Sequence, residues 1–154
     1  MNSKLINEYI ESINSRYKLG NSTEHTFRGD LQTLIETLVP TIKATNEPKR
    51  QSCGAPDYIL TLKDIPVGFI ETKDIGDSDL VGANKNKEQF NRYRASLDNI
   101  IFTDYLDFHL YRGGQPASRI IIAEVTTKGI KALPENFAAF EDFIKDFCSH
   151  LGQT

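Results

Sequence analysis

The sequence has few cysteines, no long apolar run and no excess of positive charge, and each shortage removes a class of protein. Its two cysteines, Cys53 and Cys148, sit in unrelated contexts, with no Cys-x-x-Cys and no histidine at ligand spacing. A disulfide framework and a zinc ribbon are thereby excluded, and free thiols in a cytoplasmic setting are expected. The longest apolar runs, such as Ile120-Ile121-Ile122-Ala123, fall far short of the roughly 20 residues a membrane span needs. Met1-Asn2-Ser3-Lys4 leads into an amphipathic pattern and not an apolar stretch, so neither a signal peptide nor a membrane partner is expected. The chain sets 18 Lys+Arg against 21 Asp+Glu, a net charge of −3. Binding nucleic acid by bulk charge alone is ruled out by that balance; a local basic groove is not. No internal repeat, low-complexity tract, glycine-rich cofactor loop, helix-turn-helix or zinc finger is present.

What is present is the composition of an ordinary globule: 154 residues, 39% hydrophobic and 25% charged. One domain over 1–154 with a real core is expected. Leu5, Ile6, Tyr9, Ile10, Ile13 and Tyr17 recur at helical steps, predicting a helix over 4–17 (within an N-terminal segment 1–19) with Ser3 as N-cap. Phe27, Leu31, Leu34, Ile35 and Leu38 form a second stripe over 23–38, closed by Pro40. Residues 43–53 are polar and carry Pro48, which reads as a loop with room for a short strand at its start. The period then changes. Residues 57–62 and 67–72 are rich in β-formers around a turn-like Lys63-Asp64-Ile65-Pro66, which predicts a β-hairpin. A helix over 84–98 follows, then strands at 100–104, 107–112 and 118–124, and a final helix opened by Pro134-Glu135 within 133–151. The order predicts an α+β fold, a central mixed sheet flanked by helices.

The chemistry is concentrated on the hairpin: Pro56-Asp57, thirteen residues, then Glu71-Thr72-Lys73. Side chains alternate along a strand, so Glu71 and Lys73 share a face, and Val67 and Phe69 should continue it. Antiparallel pairing brings Asp57 opposite the tail of the second strand, so all three polar groups converge at one end of the sheet. Two close carboxylates repel unless a cation lies between them, and hard oxygen donors select magnesium or manganese. A lysine two residues along could hold a water or stabilise charge on a phosphate. Taken singly, Asp57 fits a turn, and Glu71 and Lys73 fit an exposed strand face. The spacing, the apolar approach to Glu71 and an upstream acid, Glu24, together favour a site. His109, in a strand with Phe108, Leu110 and Tyr111, reads as structural, and Asp74, Asp77 and Asp79 as a solvated loop without the closing glutamate of a calcium site.

This pattern resembles the signature of the PD-(D/E)XK nuclease superfamily. The segment Glu24-His25-Thr26-Phe27-Arg28-Gly29-Asp30-Leu31 is similar to the opening of the N-terminal nuclease domains of fused restriction–modification enzymes, of the type IIG and type I-like single-chain kinds. Ala95-Ser96-Leu97-Asp98-Asn99 and Phe102-Thr103-Asp104-Tyr105 resemble the same domains, and Gln89-Phe90-Asn91-Arg92-Tyr93 is similar to the Gln-x-x-x-Tyr element of RecB-type nucleases. The resemblance implies a restriction-endonuclease-like core, with the catalytic part in 20–125. It also implies magnesium, with manganese as a possible substitute, held by Asp57, Glu71 and the backbone carbonyl of Thr72, with Glu24 completing a second metal site or orienting a water. Lys73 would position and activate the attacking water, and Gln89 and Tyr93 would face the site. The implied reaction is hydrolysis of double-stranded DNA to a 5′-phosphate and a 3′-hydroxyl, with transient dimerisation on the duplex. In the fused relatives methyltransferase and target-recognition domains follow the nuclease; with no length for either here, an excised domain and a stand-alone homologue are both expected alternatives.

Residues 1–80 hold 9 basic and 12 acidic groups, and 81–154 hold 9 of each. Within 84–95, Lys85, Lys87, Arg92 and Arg94 oppose only Glu88, and Lys43, Lys49 and Arg50 oppose Glu47 before the motif. Lys85, Arg92, Lys49 and Arg50 are therefore candidate nucleic-acid contacts, and the resemblance adds Tyr93 to them. Two other readings stay open: a catalytically silent nucleic-acid-binding or assembly domain on the same scaffold, and a RecB-like repair nuclease.

Overall fold

A computed structural model of the chain describes residues 2–20, 24–46, 56–77, 80 and 87–150. Helix α1, Ser3–Tyr17, buries Ile6, Tyr9, Ile10 and Ile13, the stripe expected of it. Its flanking residue is Asn2, so the expected N-cap Ser3 is already helical. The second stripe divides into a 3-10 turn, Glu24–Phe27, and helix α2, Arg28–Leu38. Strand β1, Ile42–Asn46, occupies the start of the segment expected to be mainly loop, and β2, Tyr58–Leu62, and β3, Ile65–Thr72, form the hairpin. Helix α3, Lys87–Ser96, crosses to β4, Asn99–Thr103, followed by β5, Asp107–Arg112, and β6, Gln115–Ile121. The predicted strand 118–124 is broken at Ile122. There the backbone bonds Leu106 and Leu133, and a separate ribbon begins, β7, Ala123–Thr126, with β8, Gly129–Ala132. Helix α4, Phe137–Ser149, follows a 3-10 turn at Pro134–Asn136.

The six-stranded sheet runs β1-β2-β3-β4-β5-β6, antiparallel except for the β3–β4 pair, which α3 connects as a crossover. All five residues of β4 are buried, as a central strand covered on both faces requires. Its alternation sorts the core. Ile101 joins the larger cluster under α1, α2 and α4, while Ile100 and Phe102 join Phe90, Tyr93 and Leu97 under α3. The arrangement is the expected mixed sheet flanked by helices. Among the described residues no helix is long and apolar enough to cross a membrane.

The hairpin turns through Lys63 and Asp64, both at positive φ (50° and 67°), with Leu62 opposite Ile65. Two consecutive left-handed residues match the twist of the flanking strands. Ile65 and Pro66, expected in the turn, therefore lie in β3, and Pro66 is tolerated because β4 pairs only from Phe69 onward. Between Leu60 and Thr61 the register jumps from Gly68 to Pro66, leaving Val67 as an extra residue. A bulge breaks strict alternation. Val67 consequently packs in the larger cluster while Phe69 packs beneath α3, so the two do not share a face as the sequence predicted.

Gly68 explains how α4 comes so close to β3. A Cβ there would stand 2.6 Å from Cζ and 2.8 Å from Cε1 of Phe147. Phe147 cannot easily retreat, because its carbonyl accepts from Asn99 Nδ2 at 2.9 Å and Asn99 also donates to Val67 O at 2.8 Å. Gly68→Ala should therefore lower the unfolding free energy by about 2 kcal/mol through overpacking; urea denaturation checks it, and unchanged stability would refute the close approach.

Candidate active site

Pairing of Tyr58 with Ile70 sets Asp57 beside Glu71 at the open end of the hairpin, as the spacing required. The Asp57 carboxylate closes that end. Its Oδ2 accepts from the Thr72 backbone N–H at 2.7 Å and from the Thr72 hydroxyl at 2.8 Å, and its Oδ1 accepts from Arg28 Nη2 at 2.5 Å. The Asp57 backbone N–H in turn donates to Glu71 Oε1 at 3.3 Å. One residue further, the Lys73 N–H bonds Thr103 O at 2.9 Å, so the β3–β4 ladder runs on and fixes where Lys73 leaves the sheet. Lys73 Nζ then lies 3.6 Å from Glu71 Oε2 and 3.3 Å from Gln89 Oε1. Asp57, Glu71, Thr72, Lys73 and Gln89 are thus brought together from β2, β3 and α3.

The electrostatics are uneven. Burial, then the neighbouring Asp57 charge, pushes the Glu71 carboxyl up to about 8, with Lys73 opposing. The neutral form of Glu71 is therefore favoured over two bare carboxylates side by side. A proton is the smallest cation that relieves two adjacent carboxylates, and a divalent cation is the alternative the donor set fits: two carboxylates and backbone oxygen, all hard donors. Among the described residues no three His, Cys, Asp or Glu are gathered as a metal cluster, so the described carboxylates number two. Glu24 opens the 3-10 turn one turn ahead of Arg28, and its side chain lies outside the described part.

Of the expected nucleic-acid contacts, Lys49, Arg50 and Lys85 lie outside the described residues. Arg92 is exposed on α3, 3.5 Å from Glu88. Tyr93 is corrected: it is 1% exposed and packs with Phe90, Leu97, Ile100 and Phe102, so it has no surface to offer a nucleic acid. The Gln-x-x-x-Tyr element therefore divides, Gln89 toward Lys73 and Tyr93 into the core. His109 Nε2 lies 3.1 Å from Asp107, which also pairs with Arg119 at 2.7 Å.

Two contributors were missed by the sequence reading. Arg28 is in phase with Leu31, Ile35 and Leu38 on the buried side of α2; an arginine on an apolar stripe is a signal the pattern did carry. Tyr105 is fully buried at φ 78°, a conformation unusual for an aromatic residue. Its carbonyl accepts from the Tyr9 hydroxyl at 2.7 Å, its N–H donates to Thr103 Oγ1 at 2.9 Å, and its hydroxyl meets Thr72 and Tyr58. Next to it, buried Asp104 accepts from the N–H groups of Leu106 (3.1 Å), Asp107 (2.9 Å) and Gly76 (3.1 Å). These bonds hold the bend after β4 and tie it to the loop after Lys73. The residue that fixes Asp57, Thr72, is itself backed by Tyr105.

No protein-family model and no curated protein matches the chain. Among solved structures it is similar to a chain from the cryo-EM structure of a DrdV–DNA complex, with a TM-score of 0.72 and 19% identity. The match covers 99% of this chain and 14% of the other, so the present chain spans about a seventh of its neighbour. The likeness is one of fold: a six-stranded mixed sheet flanked by helices, consistent with a restriction-endonuclease-like core.

Proposed function

We propose that the protein is a magnesium-dependent DNA endonuclease domain of the PD-(D/E)XK type, the cleavage module of a restriction–modification enzyme. One observation carries the reading: Asp57, Glu71 and Lys73 meet at one end of the sheet with Glu71 Oε2 3.6 Å from Lys73 Nζ. The structural neighbour was seen in complex with DNA, which supports DNA as partner. In this reading Asp57, Glu71 and the Thr72 carbonyl hold the metal, with Glu24 as a further ligand. The cation would supply Lewis-acid stabilisation of charge on the phosphate. Thr72 orients Asp57, Glu71 gives up its proton when the site is loaded, and Gln89 steers Lys73. Lys73 presents its ammonium where water and a phosphate oxygen would lie. Arg92, Lys85, Lys49 and Arg50 contact the DNA backbone. One domain supplies one such site, so cutting both strands calls for two copies meeting on the duplex.

The test is conversion of supercoiled plasmid by the wild-type chain with magnesium, with manganese and with EDTA. Nicked or linear product with either metal and none in EDTA is expected; no product at high protein with either would leave the silent-scaffold reading standing. The RecB-like reading has the Gln89–Lys73 contact in its favour. It predicts cleavage of linear or branched ends in preference to circles, so the same assay on matched circular, linear and branched DNA separates the two.

A further inference from the structure

Asp57 has two carboxylate oxygens, and both are engaged before any metal arrives. Thr72 holds Oδ2 through two donors, which leaves Oδ1 as the oxygen open to a new ligand, and Arg28 Nη2 is on it at 2.5 Å. The pair is shielded: the Arg28 side chain is 9% exposed and that of Asp57 13%. Arg28 is also fixed from behind, since its own carbonyl accepts from the buried Tyr58 hydroxyl at 2.7 Å. A guanidinium in so dry a place interacts strongly with any charge brought to the same oxygen.

We propose that Arg28 is the resident counter-cation of Asp57 and sets the metal affinity of the site, because its guanidinium and a divalent cation compete for Asp57 Oδ1. Whether the cation displaces Arg28 or shares the oxygen with it, a positive charge beside the ligand atom weakens binding. Arg28 thereby keeps Asp57 oriented and compensated at low metal concentration, and restricts loading to conditions where the cation is abundant. It acts through Asp57, so it is a positioning residue. The inference rests on the metal-site reading of Asp57 and Glu71.

Arg28→Gln removes the charge and keeps an N–H donor; Arg28→Lys keeps the charge and loses the fork. Calorimetric titration with manganese should show Arg28→Gln binding about tenfold more tightly than wild type, and Arg28→Lys within about twofold of wild type. Magnesium should also raise the Tm of Arg28→Gln by more than it raises that of wild type, because the variant has no cation at Asp57 until the metal binds. A purely structural role would lower both Tm values alike and leave the metal-induced rise unchanged. Unchanged or weaker affinity in folded Arg28→Gln, or equal tightening in Arg28→Lys, overturns the inference while wild-type binding keeps the metal site. No manganese binding by either protein overturns both. Should Arg28→Gln not fold, the Arg28 Nε–Hε NMR signal of the wild-type protein decides: it should move in step with magnesium saturation, and a fixed signal counts against competition.

Discussion

Asp57→Asn is expected to reduce metal-dependent plasmid cleavage about a thousandfold while the chain remains folded. Losing several kcal/mol of charge stabilisation at the phosphate accounts for that size, at roughly 1.4 kcal/mol per tenfold. Asparagine matches aspartate in shape but not in what its partners need. Oδ1 accepts from Arg28 and Oδ2 from both Thr72 donors, so an amide NH2 at either position meets a donor. The side chain must twist away or tolerate that clash, and Arg28 loses the Asp57 carboxylate. A fall in stability of about 2 kcal/mol should accompany the loss of cleavage. Nicking rates at saturating magnesium, read beside a thermal melt, test both halves. Cleavage by Asp57→Asn at the wild-type rate would remove Asp57 from the site and point to a contaminating nuclease.

The parts of the fold that were legible in the sequence are those governed by local patterns. The α1 and α2 stripes follow from steps of three and four, and the hairpin and the strands before and after Asp104 from runs of β-forming residues bounded by turn residues. The convergence of Asp57 with Glu71 and Lys73 was legible because antiparallel pairing brings the head of one hairpin strand opposite the tail of the other, and this held although the turn has two residues and not the four expected. What escaped depends on contacts between distant segments. Val67 changed faces because of a one-residue bulge that no local pattern signals, and the 118–124 strand was cut where Ile122 bonds Leu106 and Leu133. Tyr93 was assigned to the substrate on the Gln-x-x-x-Tyr resemblance, although Phe90, Tyr93 and Leu97 share the apolar stripe of the helix, and that stripe is the face the sheet covers. Arg28 could have been found from its place in an apolar stripe. Nothing in the sequence announced the left-handed backbone of Tyr105, which is held by Tyr9, Thr103 and the neighbouring Asp104 turn.

Glu71→Gln is expected to make the metal-free protein more stable and to abolish the proposed metal-dependent cleavage, and the stabilisation should depend on pH in a fixed direction. The folded site raises the Glu71 carboxyl from 4.5 to about 8, by burial first and by the Asp57 charge second. Below the ordinary carboxylate value both folded and unfolded states carry the proton, so the group makes no difference to the pH dependence. Between that value and about 8 the unfolded chain releases the proton and the folded one keeps it, so stability falls as pH rises. Above about 8 both are ionised and the full cost of two adjacent carboxylates is present. Glutamine is always neutral and can still accept from the Asp57 N–H. Urea denaturation in EDTA should therefore find Glu71→Gln ahead of wild type by about 2 kcal/mol at pH 8, with the gap closing toward pH 5. On the proposed metal site magnesium should reverse the order, because it would bind the ionised wild-type pair and not the amide. Below pH 8 its binding to wild type should release close to one proton and tighten as pH rises; Glu71→Gln should show neither. A variant less stable than wild type at pH 8, or a gap that does not change with pH, would mean that Glu71 is ionised in the metal-free fold. The repulsion between Asp57 and Glu71 would then have to be relieved by Lys73 and Arg28 alone.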